Sequence, residues 1–410
     1  MARNFLSVLE TQMNQVFKNS TKDVQLIEFK KDFFYAPGFG NVGVVLTTEG
    51  VVVIDTCISP EHAEKIYKEI RNLTDLPIRY IIYTHGHMDH VNSAEVFKEN
   101  GTIVVAHENV IDRFRKYQIL KEHRQRIGSV QFDNKTTDVK KYDFTYPEIT
   151  FHTEYEFILG EKRFQIIHGK GETDDHCFVS IPVEKVIYSG DFFISSFPNI
   201  GNPLKEVRFE REWYEALEKI RDRQPEFLVP GHGDLFVNKD TIQTALQDVI
   251  ECLRFVHDEV IYHMNKGTLL EDMLDQIKLP EHLEKSEYIK PHYGCLMFAI
   301  KGTHRRYSGW FDGNPTNLQP AKQKVVAKEI LSFIPNPNAI LEKCKQLRDN
   351  GEFQMALHLI DLLVFGSEEP EALELKAELT KKLSEKNDNF IMRNIYKQIA
   401  QSMVSENTHK

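Results

Sequence analysis

Three histidines and an aspartate crowd into six residues of IIYTHGHMDHVNSAEVF (Ile81–Phe97): His85, His87, Asp89 and His90. Imidazole nitrogen with carboxylate oxygen is the donor set for zinc or a similar divalent ion. On a regular strand, positions two apart share a face, so Asp89 and His90 would point in opposite directions. A loop leaving the strand at Thr84 lets all four side chains converge. Other polar residues also stand where a strand gives way to a loop: Glu172, Asp174, Asp175 and His176 in GKGETDDHCF, Asp191 in VIYSGDFF, His232 in LVPGHGD and Asp55 in VVVIDT. Such loops on a rigid scaffold are where function concentrates. Of this group, Asp174 and Asp175 read as solvent-facing or capping residues and His176 as a neighbour of ligands.

The elements that must position these residues alternate from about Asp32 to Pro230. NVGVVLTTEGVVVIDT reads as two strands joined by a turn at Glu49-Gly50, and SPEHAEKIYKEIRNL as a helix with Ser59 as N-cap and Pro60 in its first position. A second strand series follows Glu148. Each sheet must cover an apolar face, so two sheets packed face to face with helices outside are expected. After Asp234 the strand signals thin out: TIQTALQDVIECLRFVHDEVIYHM has helical spacing, Leu279–Pro320 reads as irregular and aromatic, and Ala321–Met403 is helical again. The last stretch contains one helix-turn-helix of tetratricopeptide type, which needs a packing partner such as a second subunit.

With 410 residues, 41% of them hydrophobic, the chain is long enough for two or three domains. Its net charge of -10 lacks the basic field of a nucleic-acid binder, so no nucleic-acid partner is expected. The short apolar stretch Phe5–Leu9 stops at Glu10, well short of a signal-peptide core, and no apolar run of about 18 residues follows, so no membrane span is expected. The five cysteines (Cys57, Cys177, Cys252, Cys295, Cys344) are scattered and lack CxxC spacing, consistent with free thiols in the cytoplasm.

Taken in order, THGHMDH, GE, SGD and PGHG resemble the metallo-β-lactamase superfamily over roughly residues 30–236. HYGCLMFAIKGTHRRYSGWFDGNPTNLQP and the later ALHLIDLLVF…ALELKAELTKKLSE resemble the alkylsulfatase branch of that superfamily. The resemblance implies an α+β chain. An αββα catalytic sandwich would occupy 1–240, a helical and irregular connecting region 241–320, and an all-α dimerisation domain 321–410. The sterol-carrier-like third domain common in the branch is not expected here. By the same resemblance His85, His87 and Glu172 would hold one zinc ion and Asp89, His90 and His232 another. Asp191 would bridge them where the branch has a glutamate, Asp89 and Asp191 would be the catalytic carboxylates, and Asp55 would orient ligands. The same donors also take Mn2+ or Fe2+. Lys205, Arg208 and His304 are the candidates for substrate binding.

The implied activity is metal-dependent hydrolysis of an alkyl sulfate ester with a hydrophobic tail, by a homodimer. One departure motivates a second reading. Phe298-Ala299 stands where the branch is expected to carry His-Asn, and a phenylalanine cannot protonate a leaving group. The alternative is hydrolysis of a carboxylic, thioester, lactone or phosphate ester on the same metals. A third reading, from another class, is a metal-containing scaffold with vestigial activity.

Overall fold

Along the strand Val51–Ile54, Val51 and Val53 enter one hydrophobic layer while Val52 and Ile54 enter another. This is the period-two alternation of a strand buried on both faces. Each such buried valine or isoleucine stabilises the fold by roughly 1.5–3 kcal/mol relative to exposure. The computed structural model describes residues 25–133 and 143–407; the stretch Phe5–Leu9 lies outside them. The described residues form two compact units. One runs up to Lys121 and resumes from 143 to Ser308; the other comprises 122–133 and the residues from Gly309 onward.

The first unit holds two sheets. One has seven strands in sequential order: β1 (Ile27–Lys30), β2 (Phe33–Ala36), β3 (Val42–Leu46), β4 (Val51–Ile54), β5 (Ile78–Ile82), β6 (Ile103–His107) and β7 (Ile149–Phe151). The other has six: β8 (Glu154–Leu159), β9 (Lys162–His168), β10 (Cys177–Ile181), β11 (Val186–Gly190), β12 (Phe227–Pro230) and β13 (Phe236–Val237), in the order β13-β12-β11-β10-β9-β8. Their facing sides share one core, with Val45, Ile82 and Val105 against Phe164, Val179 and Val186.

Helices α1 (Pro60–Leu73) and α2 (Val110–Ile119) cover the outside of the first sheet, and α3 (Glu210–Asp222), α4 (Lys239–Asn265) and α5 (Leu296–Tyr307) that of the second. The result is the expected αββα layering. At the start of α1 the Ser59 hydroxyl accepts the His62 N–H, with Pro60 in the first position. The Glu49-Gly50 turn closes through the Thr47 N–H, which donates to the Gly50 carbonyl at 2.9 Å. Helix α5 corrects the reading of Leu279–Pro320 as irregular. Its Ala299 and Ile300 join the apolar layer over the second sheet, with Phe298, Gly302 and Thr303 also buried, while Gly294, Gly309 and Gly313 fall outside the helix.

Strands β4, β5 and β6 run parallel, as do β11 and β12. Asp55, the residues after Thr84, Asp191 and His232 therefore all emerge at carboxyl ends of parallel strands, where open α/β sheets place their sites.

The second unit is all-helical: α6 (Gln323–Ser332), α7 (Asn338–Asp349), α8 (Phe353–Gly366), α9 (Pro370–Lys386) and α10 (Phe390–Asn407). Leu341, Cys344, Ile360, Leu363, Leu375 and Leu379 form its core. The segment 122–133 belongs to it through the Asn394 side-chain amide, which donates to the Gln131 carbonyl at 2.8 Å. Among the described residues, no helix is long and apolar enough to cross a membrane.

Candidate metal centre

The THGHMDH loop solves its directional problem by turning. Met88–Val91 forms a single helical turn, so Asp89 and His90 are about 100° apart rather than opposed. The turn is anchored from beneath by Asp55, whose backbone takes the left-handed conformation (φ 59°) that Asp tolerates better than most residues. Asp55 Oδ1 accepts the Thr84 N–H at 2.7 Å, and Oδ2 accepts the Thr84 hydroxyl and His90 Nδ1–H, each at 2.8 Å. With Nδ1 held in this way, the buried His90 presents Nε2 to the centre.

Asp191 lies opposite. Its two oxygens are 3.6 Å from His85 Nε2, 3.4 Å from His90 Nε2 and 3.3 Å from His232 Nε2. Asp89 lies 3.3 Å from His232 Nε2 and 3.6 Å from His90 Nε2, and Glu172 Oε2 lies 3.6 Å from His87 Nδ1. The glycine of PGHG that precedes His232 is required by contact: a Cβ on Gly231 would fall 2.0 Å from Asp191 Oδ1. The loop before β3 ties this segment to the first sheet, since Asn41 Nδ2 donates to the carbonyls of Pro230 and Gly233 at 2.9 Å each.

These donors fit a divalent cation. With metal–ligand bonds of about 2.0–2.1 Å in tetrahedral geometry, donor atoms sit about 3.3–3.4 Å apart, close to the separations of 3.3–3.6 Å found here. All seven residues fall into three overlapping triads: His85, His90 and Asp191; Asp89, His90 and His232; His87, Glu172 and Asp191. His85 Nε2 and His87 Nδ1 are closer, sharing a hydrogen bond of 2.8 Å.

The electrostatics follow from burying charge. Burial raises Asp191, but His232, His90 and His85 outweigh it and hold the carboxyl well below its ordinary range. Burial lowers His232, yet Asp191 and Asp89 push it up to about 10. His85 is held well below the usual histidine range, first by burial and then by His176 and His90.

A fourth triad, His107, Glu108 and His152, is of a different kind. His107 Nδ1 accepts the Asn109 N–H and Nε2 donates to the His152 carbonyl at 2.9 Å, so both ring nitrogens are committed to backbone.

Of the substrate-binding candidates, Arg208 is buried in an ion pair with Glu172. Lys205 acts electrostatically on His87 and Glu172. His304 is half-buried in the last turn of α5 and meets the Ser308 hydroxyl at 3.1 Å. Phe298 and Ala299 are both buried. Sequence reasoning missed Tyr293 and Asn199. Burial and then the Glu172 carboxylate raise the Tyr293 hydroxyl above its ordinary range, against Arg208 and Asn199. The only signal for Tyr293 in sequence was the aromatic stretch around it, and Asn199 had none. Asp175 also departs from its expected role: its side chain is fully buried, bonded to Arg113 and the Gly86 N–H, whereas Asp174 is partly exposed.

The metallo-beta-lactamase superfamily matches residues 35–232, and the alkyl sulfatase dimerisation family matches 270–406. A linear primary-alkylsulfatase of Pseudomonas sp. is 24% identical over 376 residues, covering 85% of this chain and 71% of the relative. An (R)-specific secondary-alkylsulfatase of Pseudomonas sp. is 26% identical over 393 residues, covering 87% of this chain but only 58% of the relative. The solved structure of the stereoselective inverting sec-alkylsulfatase Pisa1 from Pseudomonas sp. superposes with a TM-score of 0.82 at 22% identity, covering 93% of this chain and 65% of that one, a likeness that establishes the fold. A sandwich matching one family, a helical region matching the other and the relatives shared across most of the chain lead to one conclusion: residues 35–232 form a metallo-β-lactamase superfamily domain and residues 270–406 an alkyl sulfatase dimerisation domain, a pairing similar to that of the alkylsulfatases.

Proposed function

We propose that this alkylsulfatase-like hydrolase uses two zinc ions to cleave sulfate esters carrying an apolar tail. The observation that carries the reading is the donor spacing of 3.3–3.6 Å around Asp191. His85, His87 and Glu172 would hold one ion, Asp89, His90 and His232 the other, with Asp191 serving both. When bound, such a pair supplies Lewis acidity and lowers the pKa of water toward neutrality. Overall, water adds and the ester separates into an alcohol, a sulfate and a proton.

The chain's own groups account for orientation. Asp55 fixes the tautomer and direction of His90. Arg208, with Lys205 nearby and the neutral Tyr293 hydroxyl as donor, supports recognition of an anionic head group. The relatives named as alkylsulfatases support sulfate as that head group.

A second reading has its own observation. Phe298 and Ala299 are buried and supply no ionisable group where the alkylsulfatase branch is expected to carry His-Asn, which favours a different ester on the same metals. One experiment separates the two: sulfate release from a medium-chain alkyl sulfate by zinc-loaded protein, with Asp191→Ala as the blank. Release that disappears in the variant supports sulfate-ester hydrolysis. No release, with turnover of carboxylic, thioester, lactone or phosphate esters, selects the second reading.

The protein would work as a cytoplasmic homodimer. All five cysteines are buried and unpaired, in keeping with a reducing compartment. Val325, Val326 and Ile330 of α6, with the adjoining Phe333, form an exposed apolar face within the region that matches the dimerisation family, and this supports a second copy as its occupant.

A further inference from the structure

We propose that the Arg113–Asp175 ion pair is a positioning device that clamps the His85–His87 segment onto the loop bearing Glu172 and so sets the affinity of one metal position separately from the other. This rests on the dinuclear reading above. Arg113 projects from α2 with its side chain 8% exposed, and its Nε donates to Asp175 Oδ1 at 2.7 Å. A second guanidinium nitrogen pairs with Asp174. The other oxygen of Asp175 accepts the N–H of Gly86, the residue between two ligands, at 2.7 Å.

The fit leaves no slack. A Cβ on Gly86 would lie 2.8 Å from Arg113 Cδ, 2.9 Å from Asp175 Oδ2 and 3.0 Å from Val110 Cγ2. The two loops are also joined by the Cys177 N–H, which donates to the Thr84 carbonyl at 2.7 Å. The Glu172 loop is steadied in turn through the Asp174 carbonyl, which accepts from His168 Nε2 at 2.9 Å and from Asn109 Nδ2 at 3.3 Å.

Two buried carboxylates thus grip one short segment at different points, Asp55 at its two ends and Asp175 between them. Asp55 holds Thr84 and His90, on the side of Asp89 and His232, whereas Asp175 holds Gly86, on the side of His87 and Glu172. A buried ion pair adds little net stability compared with apolar residues of the same volume. Its placement here is better accounted for by geometry, because it joins ligand-bearing loops from different sheets. Neither residue is among the proposed ligands, so both act through the groups they hold.

The test is a zinc titration of metal-free protein against a competing chromophoric chelator, resolving the first and second ion, with circular dichroism and melting of the same samples. The double variant Arg113→Met/Asp175→Asn removes both charges together and leaves neither buried alone. It should bind one zinc with affinity within about threefold of wild type and the other about 10–100-fold more weakly, the scale for partners that orient metal ligands. Arg113→Lys, which keeps the charge and loses the fork, should weaken the same ion by less.

Two zinc ions held with unchanged affinity, or both weakened equally in a variant that melts like wild type, would overturn the proposal. If the double variant fails to fold, Arg113→Lys decides: a loss confined to one ion supports the clamp, and unchanged binding overturns it. Wild-type protein that takes up fewer than two zinc ions defeats the dinuclear reading itself, and the clamp with it, before any variant is compared.

Discussion

His232 Nε2 stands 3.3 Å from Asp191 Oδ1, the two residues reaching each other from the ends of adjacent parallel strands. The same carboxylate faces His85 and His90, so three histidines from two separate loops meet on one side chain. Removing it should therefore do more damage than removing any one histidine. Asp191→Ala is expected to lose much of its zinc and roughly 10²–10³-fold or more in activity, the scale for losing a principal electrostatic group. Elemental analysis provides the check, and unchanged zinc content would remove Asp191 from the bridging role.

Arg208 and Glu172 form a buried ion pair beside His87. Arg208→Met leaves the carboxylate uncompensated, a change that costs about 3–5 kcal/mol when nothing replaces the partner. Zinc on Glu172 would supply the missing charge. The variant's melting temperature should therefore fall more in chelator than in zinc, and KM for an alkyl sulfate should rise more than kcat falls. Equal melting losses with and without zinc would argue against Glu172 as a ligand.

His168 connects stability to pH. Burial first, and His107 as the next lowering influence, push its imidazole down to about 4 despite its bond to the Asp174 carbonyl. Its folded pKa is depressed, so its contribution is intact above the unfolded value near 6.5 and is lost as pH falls toward 4. The melting temperature of wild type should drop on going from pH 7 to pH 5 by more than that of His168→Gln, which keeps a donor for Asp174. Parallel profiles would show that His168 does not contribute to the acid sensitivity.

Phe333 is 76% exposed next to Val326 and Ile330. If this face joins two copies, Phe333→Glu should shift the protein from dimer to monomer in light scattering, with helical content unchanged because the substitution lies at the helix end. A dimer that survives the change assigns the interface to another surface.

Much of this protein was determined by sequence alone, wherever the physics is local. Six residues contain four donors, a proline and serine start α1, a glycine turn joins β3 to β4, and alternating valines require a sheet covered on both sides. The order of motifs identified the superfamily for the same reason, since each motif sits at the end of its own strand.

Only the tertiary structure decided what depends on distant partners. Asp175 looks like any acidic loop residue until Arg113, on a helix of ordinary amphipathic pattern, meets it and makes its burial tolerable. Tyr293 and Arg208 become neighbours only when the second sheet and its covering loops assemble around Glu172. Leu296–Tyr307 became a helix because an apolar layer was there to receive one face, a tertiary contribution larger than the glycine and aromatic content that argued against it.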